Sequence, residues 1–342
     1  MGGNAVQRST FRLIGTSLVA SAVLGLAPLH AQQGKLEEAT MALPVTSLSF
    51  SMTYLADDLN LWEKHGVKIK TMEISGIGAM NSVISGSTQF TQSSGSAITR
   101  AAARGQRLLT IVETLGKPSV QIVLRKEFAA GFDPTAPLEK RVQPLRGRTI
   151  AVDAINSIIH AYVRFLAKRA GFDPEEIRIA VMQPPNMLVA LKTRAIDGFA
   201  MAPPWAQQPV LDGDAVMIAS GPDGDPPELS PFVNTAVATK PETCEKRRAL
   251  CEGVGRTFRE AVAIVLDRPS EALAVLKKRF AQLDERHLAL AFEDVRKITP
   301  RSLIVSKAGL ENAELFNIEA GLLKPEEKLK SYDGLFTDQF VR

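Results

Sequence analysis

The stretch ISGIGAMNSVISGSTQFTQSSGSAIT, residues 74–99, lies between Glu73 and Arg100 and holds no charged side chain. It is long enough for a membrane span, which needs ~20 apolar residues, but Gly, Ser, Thr and Gln interrupt it throughout. The segments around it alternate in type. Before it come PVTSLSFSM (44–52), with the alternation of a half-buried strand, and a helical face of Leu55, Leu59 and Trp62 ended by Gly66. VKIKTMEI (67–74) is a second period-two strand. Inside the stretch, Gly76 and Gly78 open a helix over AMNSVISG (79–86), and STQFTQSS (87–94) reads as a short strand. The helix GSAITRAAARG (95–105) and the strands RLLTIVETL (107–115) and SVQIVLR (119–125) follow.

After a loop rich in Pro and charge, the cycle restarts at LRGRTIAVDA (145–154). IIHAYVRFLAKRAG (158–171) is an amphipathic helix, IRIAVM (177–182) a strand, PNMLVALKTR (185–194) a helix and IDGFAMAPPW (196–205) a short strand running into a turn. VLDGDAVMIAS (210–220) and PFVNTAVAT (231–239) come next, and from Pro241 the pattern is almost purely helical. Alternating β and α predicts an α/β fold, each sheet mostly parallel with helices on both faces. Two cycles predict two lobes.

In open sheets of this kind, ligands bind beyond the carboxyl ends of the strands. Those ends hold Met52 and Tyr54, then Gly78, Ala79 and Met80, then Ser94, Gly95 and Ser96 in the first half. In the second half they hold Asn156 and Ser157, then Asn186, then Pro204 and Trp205. Most of these positions fall in the first turn of a helix, where free N–H groups and a partial positive charge attract an anion. Glycine admits a ligand close to the backbone, and Ser and Asn add short hydrogen-bonding arms. Tyr54 and Trp205 would supply flat apolar walls. Singly, each Ser, Asn or Gly also reads as an ordinary helix cap, and Met52 and Met80 as core. Convergence of five or six such ends on one cleft is what points to a ligand. Arg100 and Arg125 lie within reach of the edges of this cup.

Catalysis finds little support. Of the four histidines, His30 falls in the expected N-terminal leader, His65 and His287 sit in charged helical contexts, and His160 lies one turn into a helix. There is no HExxH, P-loop, CxxC or nucleophile elbow, and GIGAMNS lacks the third Gly of a dinucleotide fingerprint. No catalytic residue, metal or cofactor is expected.

At the N-terminus, Arg8 and Arg12 precede LIGTSLVASAVLGLAPLHA, and no acidic residue occurs before Glu37. This predicts a secretory signal peptide over 1–31, cleaved after Ala31. A membrane anchor is the alternative, but the apolar run is short and broken by Gly and Pro. No Cys stands near the cleavage point for a lipid anchor. The remaining chain of about 310 residues carries 39 basic and 37 acidic side chains, interspersed, so no nucleic-acid surface is expected. Cys244 and Cys251 are the two cysteines. If KPETCEKRRALCEG is one helix, their separation is ~10.5 Å of rise, too far for a disulfide unless the helix starts later.

Four ordered segments resemble the substrate-binding proteins of ABC importers for nitrate, sulfonates, taurine and related solutes. They are YLADDLNLWEKHGVKIK (54–70), GIGAMNSVISGSTQFTQSSGSAITRAAARG (76–105), LRGRTIAVDAINSIIHAYVRFLAKRAGFDPEEIRI (145–179) and ALKTRAIDGFAMAPPW (190–205). The likeness spans about residues 44–330. Two departures stand out: Thr88-Gln89 lacks the Asp usual there, and Ala202 replaces the acidic residue before the key Pro. The resemblance implies a two-lobe periplasmic-binding-protein fold of type II, with lobe 1 over 44–123 and 236–342 and lobe 2 over 124–235, joined by two crossover strands. It also implies a monomer in the periplasm that closes over a small-molecule ligand and delivers it to an ABC permease in the membrane. A small organic anion, a sulfonate or an aromatic carboxylate, fits the helix ends. A neutral heteroaromatic such as a pyrimidine precursor, or a ligand sensor, is the alternative. Relatives that make the thiamine pyrimidine use a reactive His and a Cys-rich cluster, which this chain lacks.

Overall fold

Ten strands fall into two five-stranded sheets in the computed structural model, which describes residues 1–2 and 36–342. The expected leader and its cleavage point, like His30, lie outside the described residues. The strands are β1 (Glu37–Leu43), β2 (Val67–Glu73), β3 (Phe90–Ser93), β4 (Leu109–Leu115), β5 (Gln121–Arg125), β6 (Thr149–Val152), β7 (Arg178–Val181), β8 (Gly198–Met201), β9 (Ala215–Ser220) and β10 (Thr235–Thr239). The first sheet has the order β2-β1-β3-β10-β4 and the second β7-β6-β8-β5-β9. In the first, β1 runs parallel to β2 and β3, while β10 is antiparallel to both of its neighbours. In the second, β6 is parallel to β7 and β8, and β5 is antiparallel to β8 and β9. Each sheet is thus mostly parallel with one reversed strand, and helices flank both, as α/β alternation requires.

The chain changes sheet between β4 and β5, over residues 116–120, and returns between β9 and β10, over 221–234. A division at 123/124 would cut through β5, all of which pairs within the second sheet.

One strand sits earlier than its sequence suggests. The alternating segment 44–52 is not extended beyond its start; β1 ends at Leu43. Ser47 caps a 3-10 turn, Leu48–Phe50, by accepting the Ser49 N–H, and the helix Ser51–Asp58 follows. The Ser51 hydroxyl donates to the Leu48 carbonyl at 2.6 Å. The serines alternate with apolar residues because they tie a tight turn, a local competition that periodicity alone does not reveal.

The helical C-terminal part clamps both lobes. In the helix Arg248–Asp267, Leu250, Val254, Phe258, Ala261 and Val265 repeat at helical spacing and are fully buried. Phe258 meets Trp62 edge to face, with ring centroids 5.7 Å apart. The preceding helix stops at Lys246, and Arg247 departs from helical geometry (φ −133°, ψ 56°). That break brings Cys244 and Cys251 to a Cα separation of 5.6 Å, and they form a disulfide. A continuous helix would have forbidden it; the helix starts later, and the bond forms. The helix Lys307–Ala320 packs on Gly95–Ala103 in the first lobe and on Ile158–Arg169 in the second. Its Phe316 ring meets Phe165 at 5.2 Å and Phe232 at 5.5 Å.

Candidate functional site

The carboxyl ends of the parallel strands face one another across a cavity of about 680 Å³, its open mouth included. The first lobe contributes Val45, Ser47, Ser49 and Phe50 from the turn after β1, Ile77 and Met80 from the next crossing, and Ser94, Ala97 and Arg100 around the Gly95–Ala103 helix. The second contributes Asp153, Asn156, Ser157, Ile158 and Ile159 after β6, and Met201 and Ala202 at the end of β8. Ser119 and Asn234 come from the two connections between sheets.

The lobes touch directly at several points. The Leu48 N–H and the Ser47 hydroxyl both donate to the Pro203 carbonyl at 2.9 Å. Trp205 Nε1 donates to the Thr46 carbonyl at 3.1 Å. Arg100 Nη2 donates to the Asn156 carbonyl at 2.8 Å.

Arg100 is the chemical centre of the cavity. Its side chain is 4% exposed, and its Nη1 is buried without a hydrogen-bond partner among the described residues. Burial, with a smaller contribution from Arg104, pulls its pKa down to about 10. It lies against the start of the Ile158–Arg169 helix, the positive end of that helix's dipole. A buried guanidinium beside a positive helix end is unfavourable by itself and is relieved by an anion between them.

The loop that meets Arg100 is tightly specified. Asn156 has a left-handed backbone (φ 62°), which short polar side chains tolerate best after Gly. Its N–H donates to His160 Nδ1 at 3.0 Å, so that nitrogen is the acceptor and the proton of the neutral ring is on Nε2. Burial lowers the His160 pKa, which keeps the ring neutral. His160 therefore fixes the turn that presents the Asn156 carbonyl to Arg100. Ser157 accepts from the His160 N–H and donates to Asp153 Oδ1 at 2.6 Å, which commits its single proton. The amides of Ile158 and Ile159 have no backbone acceptor among the described residues. Ser94 accepts from the Ala97 N–H, and its own proton has no protein acceptor among the described residues.

Four of the thirteen positions expected at the site line this cavity: Met80, Ser94, Asn156 and Ser157. Gly78 and Ala79 sit in the same first turn as Met80 without reaching it, and Ala79 is buried. Met52 and Tyr54 belong to the helix Ser51–Asp58, which starts where a strand was expected, and both face the core. The Tyr54 hydroxyl accepts from the Ser47 N–H at 3.3 Å, and burial pushes its pKa up to about 12. Tyr54 and Trp205 both pack edge to face on Phe280, with ring centroids 6.0 and 6.3 Å away, and form a core cluster in place of ligand walls. Pro204 is buried beside Trp205. Gly95 serves a close approach: a Cβ there would lie 2.9 Å from Val233, whose carbonyl accepts the Gly95 N–H at 2.8 Å. Ser96 turns away and donates to Asn317 Oδ1 at 2.5 Å. Asn186 is exposed on the second lobe. Arg125 lies at the far end of β5, paired with Asp197 and Glu127 and stacked on Phe128, remote from the cavity.

Asp153 and Phe50 were not foreseen. The signal for Asp153 was a lone acid at the end of a buried strand, and for Arg100 the first charge after twenty-six neutral residues. Among the described residues, no cluster of three His, Cys, Asp or Glu could hold a metal. Nor is any described helix long and apolar enough to cross a membrane.

Known proteins give the same shape. A protein-family model described as NMT1/THI5 like matches residues 47–272. The putative aliphatic sulfonates-binding protein of Escherichia coli K12 is 25% identical over 178 residues, 52% of this chain and 51% of that protein. The chain therefore matches about half the length of that curated relative. Among solved structures, the alkanesulfonate-binding protein SsuA of Xanthomonas axonopodis pv. citri, bound to MOPS, superposes with a TM-score of 0.67. It has 18% identity, over 85% of this chain and 96% of that one. The periplasmic nitrate-binding protein NrtA of Synechocystis PCC 6803 superposes with a TM-score of 0.68 at 13% identity, over 86% and 84% of the two chains. At such identities these structures establish the periplasmic-binding-protein fold.

Proposed function

Because the chain belongs to the NMT1/THI5-like family, whose model covers more than half of it, we propose that it is the solute-binding component of an ABC-type importer. It takes up a small organic anion between its lobes in the periplasm and delivers it to a membrane permease, without chemical conversion. The names of the sulfonate- and nitrate-binding relatives support this reading. The observation that carries it is the buried Arg100 guanidinium, with Nη1 unpartnered in a cavity shared by both lobes.

The walls around that charge combine apolar side chains, among them Val45, Phe50, Ile77, Met80, Ile159 and Met201, with serines and Asn234. An anionic head on a short organic body fits them better than bare nitrate does. Arg100 also weighs against a neutral pyrimidine, which would leave the buried charge uncompensated.

The test is a thermal-shift screen against alkanesulfonates, aromatic carboxylates, nitrate and pyrimidines. A solute at a hundred times its Kd stabilises the native state by about 2.7 kcal/mol. Stabilisation by organic anions, absent in Arg100→Met, is expected. A response to pyrimidines alone, or turnover of any of these compounds, would overturn the proposal.

A further inference from the structure

Resting on the anion-binding reading, we infer that His160 is a positioning residue that governs how firmly the lobes close on a solute, by holding the turn at residues 154–157 in the shape that reaches Arg100. That turn is where the second lobe meets the first. Arg100 Nη2 donates across the gap to the Asn156 carbonyl at 2.8 Å. Gly76 of the first lobe lies so close that a Cβ there would stand 2.7 Å from the Ala154 Cβ.

His160 grips this turn twice. Its backbone N–H donates to Ser157 Oγ at 3.2 Å, and its Nδ1 accepts the Asn156 N–H at 3.0 Å. Asn156 has a left-handed backbone (φ 62°), which a residue with a side chain keeps only where its surroundings impose it. His160 is 6% exposed and does not line the cavity, so it acts on a solute only through this turn.

The side-chain grip depends on the ring's charge. A neutral ring has one acceptor nitrogen and a protonated ring has none, so its Nδ1 proton would oppose the Asn156 N–H. Burial lowers the ring's pKa most; Arg164 of its own helix lowers it, Glu175 of the 3-10 turn Pro174–Glu176 raises it, and Arg100 across the gap lowers it. Among the described residues, the other elements packed on its helix, Lys307–Ala320, Leu138–Val142 and β8, bring no charge that shifts it. The folded ring thus binds its proton less readily than the unfolded one. The turn is fully held above pH 6.5 and is lost as pH falls through the lower folded value. Because the Arg100–Asn156 bond joins the lobes, loosening the turn depopulates the form that holds solute. Apparent affinity then falls in proportion to that population, alike for every solute.

Titration calorimetry with ethanesulfonate and butanesulfonate, which stay ionised throughout, is combined with NMR of the His160 ring and the Asn156 amide. In wild type both affinities should fall by one factor, about tenfold, the scale of a hydrogen bond lost with its donor stranded. The fall should follow the ring's own titration, and the Asn156 amide signal should move with it. His160→Asn presents an oxygen where Nδ1 stood and takes no proton, so it should match wild type at neutral pH and lack the fall. His160→Leu, checked for folding by circular dichroism, should bind about tenfold more weakly at neutral pH. Burial raises the pKa of Asp153 on the cavity, so a fall that persists in His160→Asn belongs to that carboxyl and overturns the role of His160. Affinity that is flat across the ring's titration, that rises on the acid side, or that changes by unequal factors for the two sulfonates overturns it too. An Asn156 amide indifferent to the ring overturns the positioning whether or not a sulfonate binds. Failure of both sulfonates to bind wild type at neutral pH overturns the anion reading.

Discussion

Replacing Arg100 by Met should make the ligand-free protein more stable while removing its response to anions. The pKa of Arg100 falls to about 10 on burial, which corresponds to about 3 kcal/mol held against the charged guanidinium in the fold. A base with a depressed pKa lowers stability at every pH below its folded value and regains it as pH rises past about 10. At neutral pH the full penalty is present. Methionine keeps most of the side-chain volume and removes that penalty, but forfeits the bond to the Asn156 carbonyl, about 1.5–2 kcal/mol for a charged donor. The net gain is about 1–1.5 kcal/mol, or a Tm rise of about 2–6 °C for a chain of this size. Differential scanning fluorimetry, with and without an organic anion, reads both effects together. A variant that melts several degrees lower and still responds to the anion would refute the reasoning, because the guanidinium would then be structural.

Glu113, 3% exposed on β4, has its pKa pushed up to about 7 by burial, against one backbone hydrogen bond from Ser306. Its raised pKa means that stability is lost as pH climbs from about 4.5 to 7 and stays low above that, by about 3 kcal/mol. Urea melts should show Glu113→Gln more stable than wild type at pH 8, with the difference gone at pH 4. Replacing both Cys244 and Cys251 by Ala frees a short loop and should cost about 2.5 kcal/mol, seen as a lower Tm with unchanged solute affinity. Ser96→Ala strands Asn317 Oδ1 and should cost about 1–3 kcal/mol. Its solute affinity should equal that of wild type, since the side chain faces away from the cavity.

The order of elements was legible because nearly every strand and helix repeats its apolar residues with the right period, as Val67 and Ile69 alternate with exposed Lys68 and Lys70. The exception, 44–52, failed where serines cap a turn in a pattern that mimics a strand. Part of the cavity's lining was legible as a set of strand ends, since Asn156, Ser157, Ser94 and Met80 lie on it. Side-chain direction was not. Ser94 and Ser96 are two residues apart on one helix start, and one faces the cavity while the other meets Asn317. Tyr54 and Trp205 looked like ligand walls by size, yet the C-terminal helices supply Phe280 against both, contacts spanning more than seventy residues. The role of Arg100 depends on the opposite lobe bringing a carbonyl to it, and no local pattern encodes that.

The two attachments of the helix Lys307–Ala320 are unequal in kind. Toward one lobe, Asn317 is fastened by buried bonds to Ser96 and Thr99. Toward the other it offers the Phe316–Phe165 contact, the Arg164 bond to Ala320 and a surface pair, Arg169 with Glu319. Were the halves to part, this helix would stay with the first and peel from the second. On the proposed function, weakening its outer seam should alter how readily the molecule swings shut and rescale the apparent affinity for every solute by one common factor, with selectivity untouched.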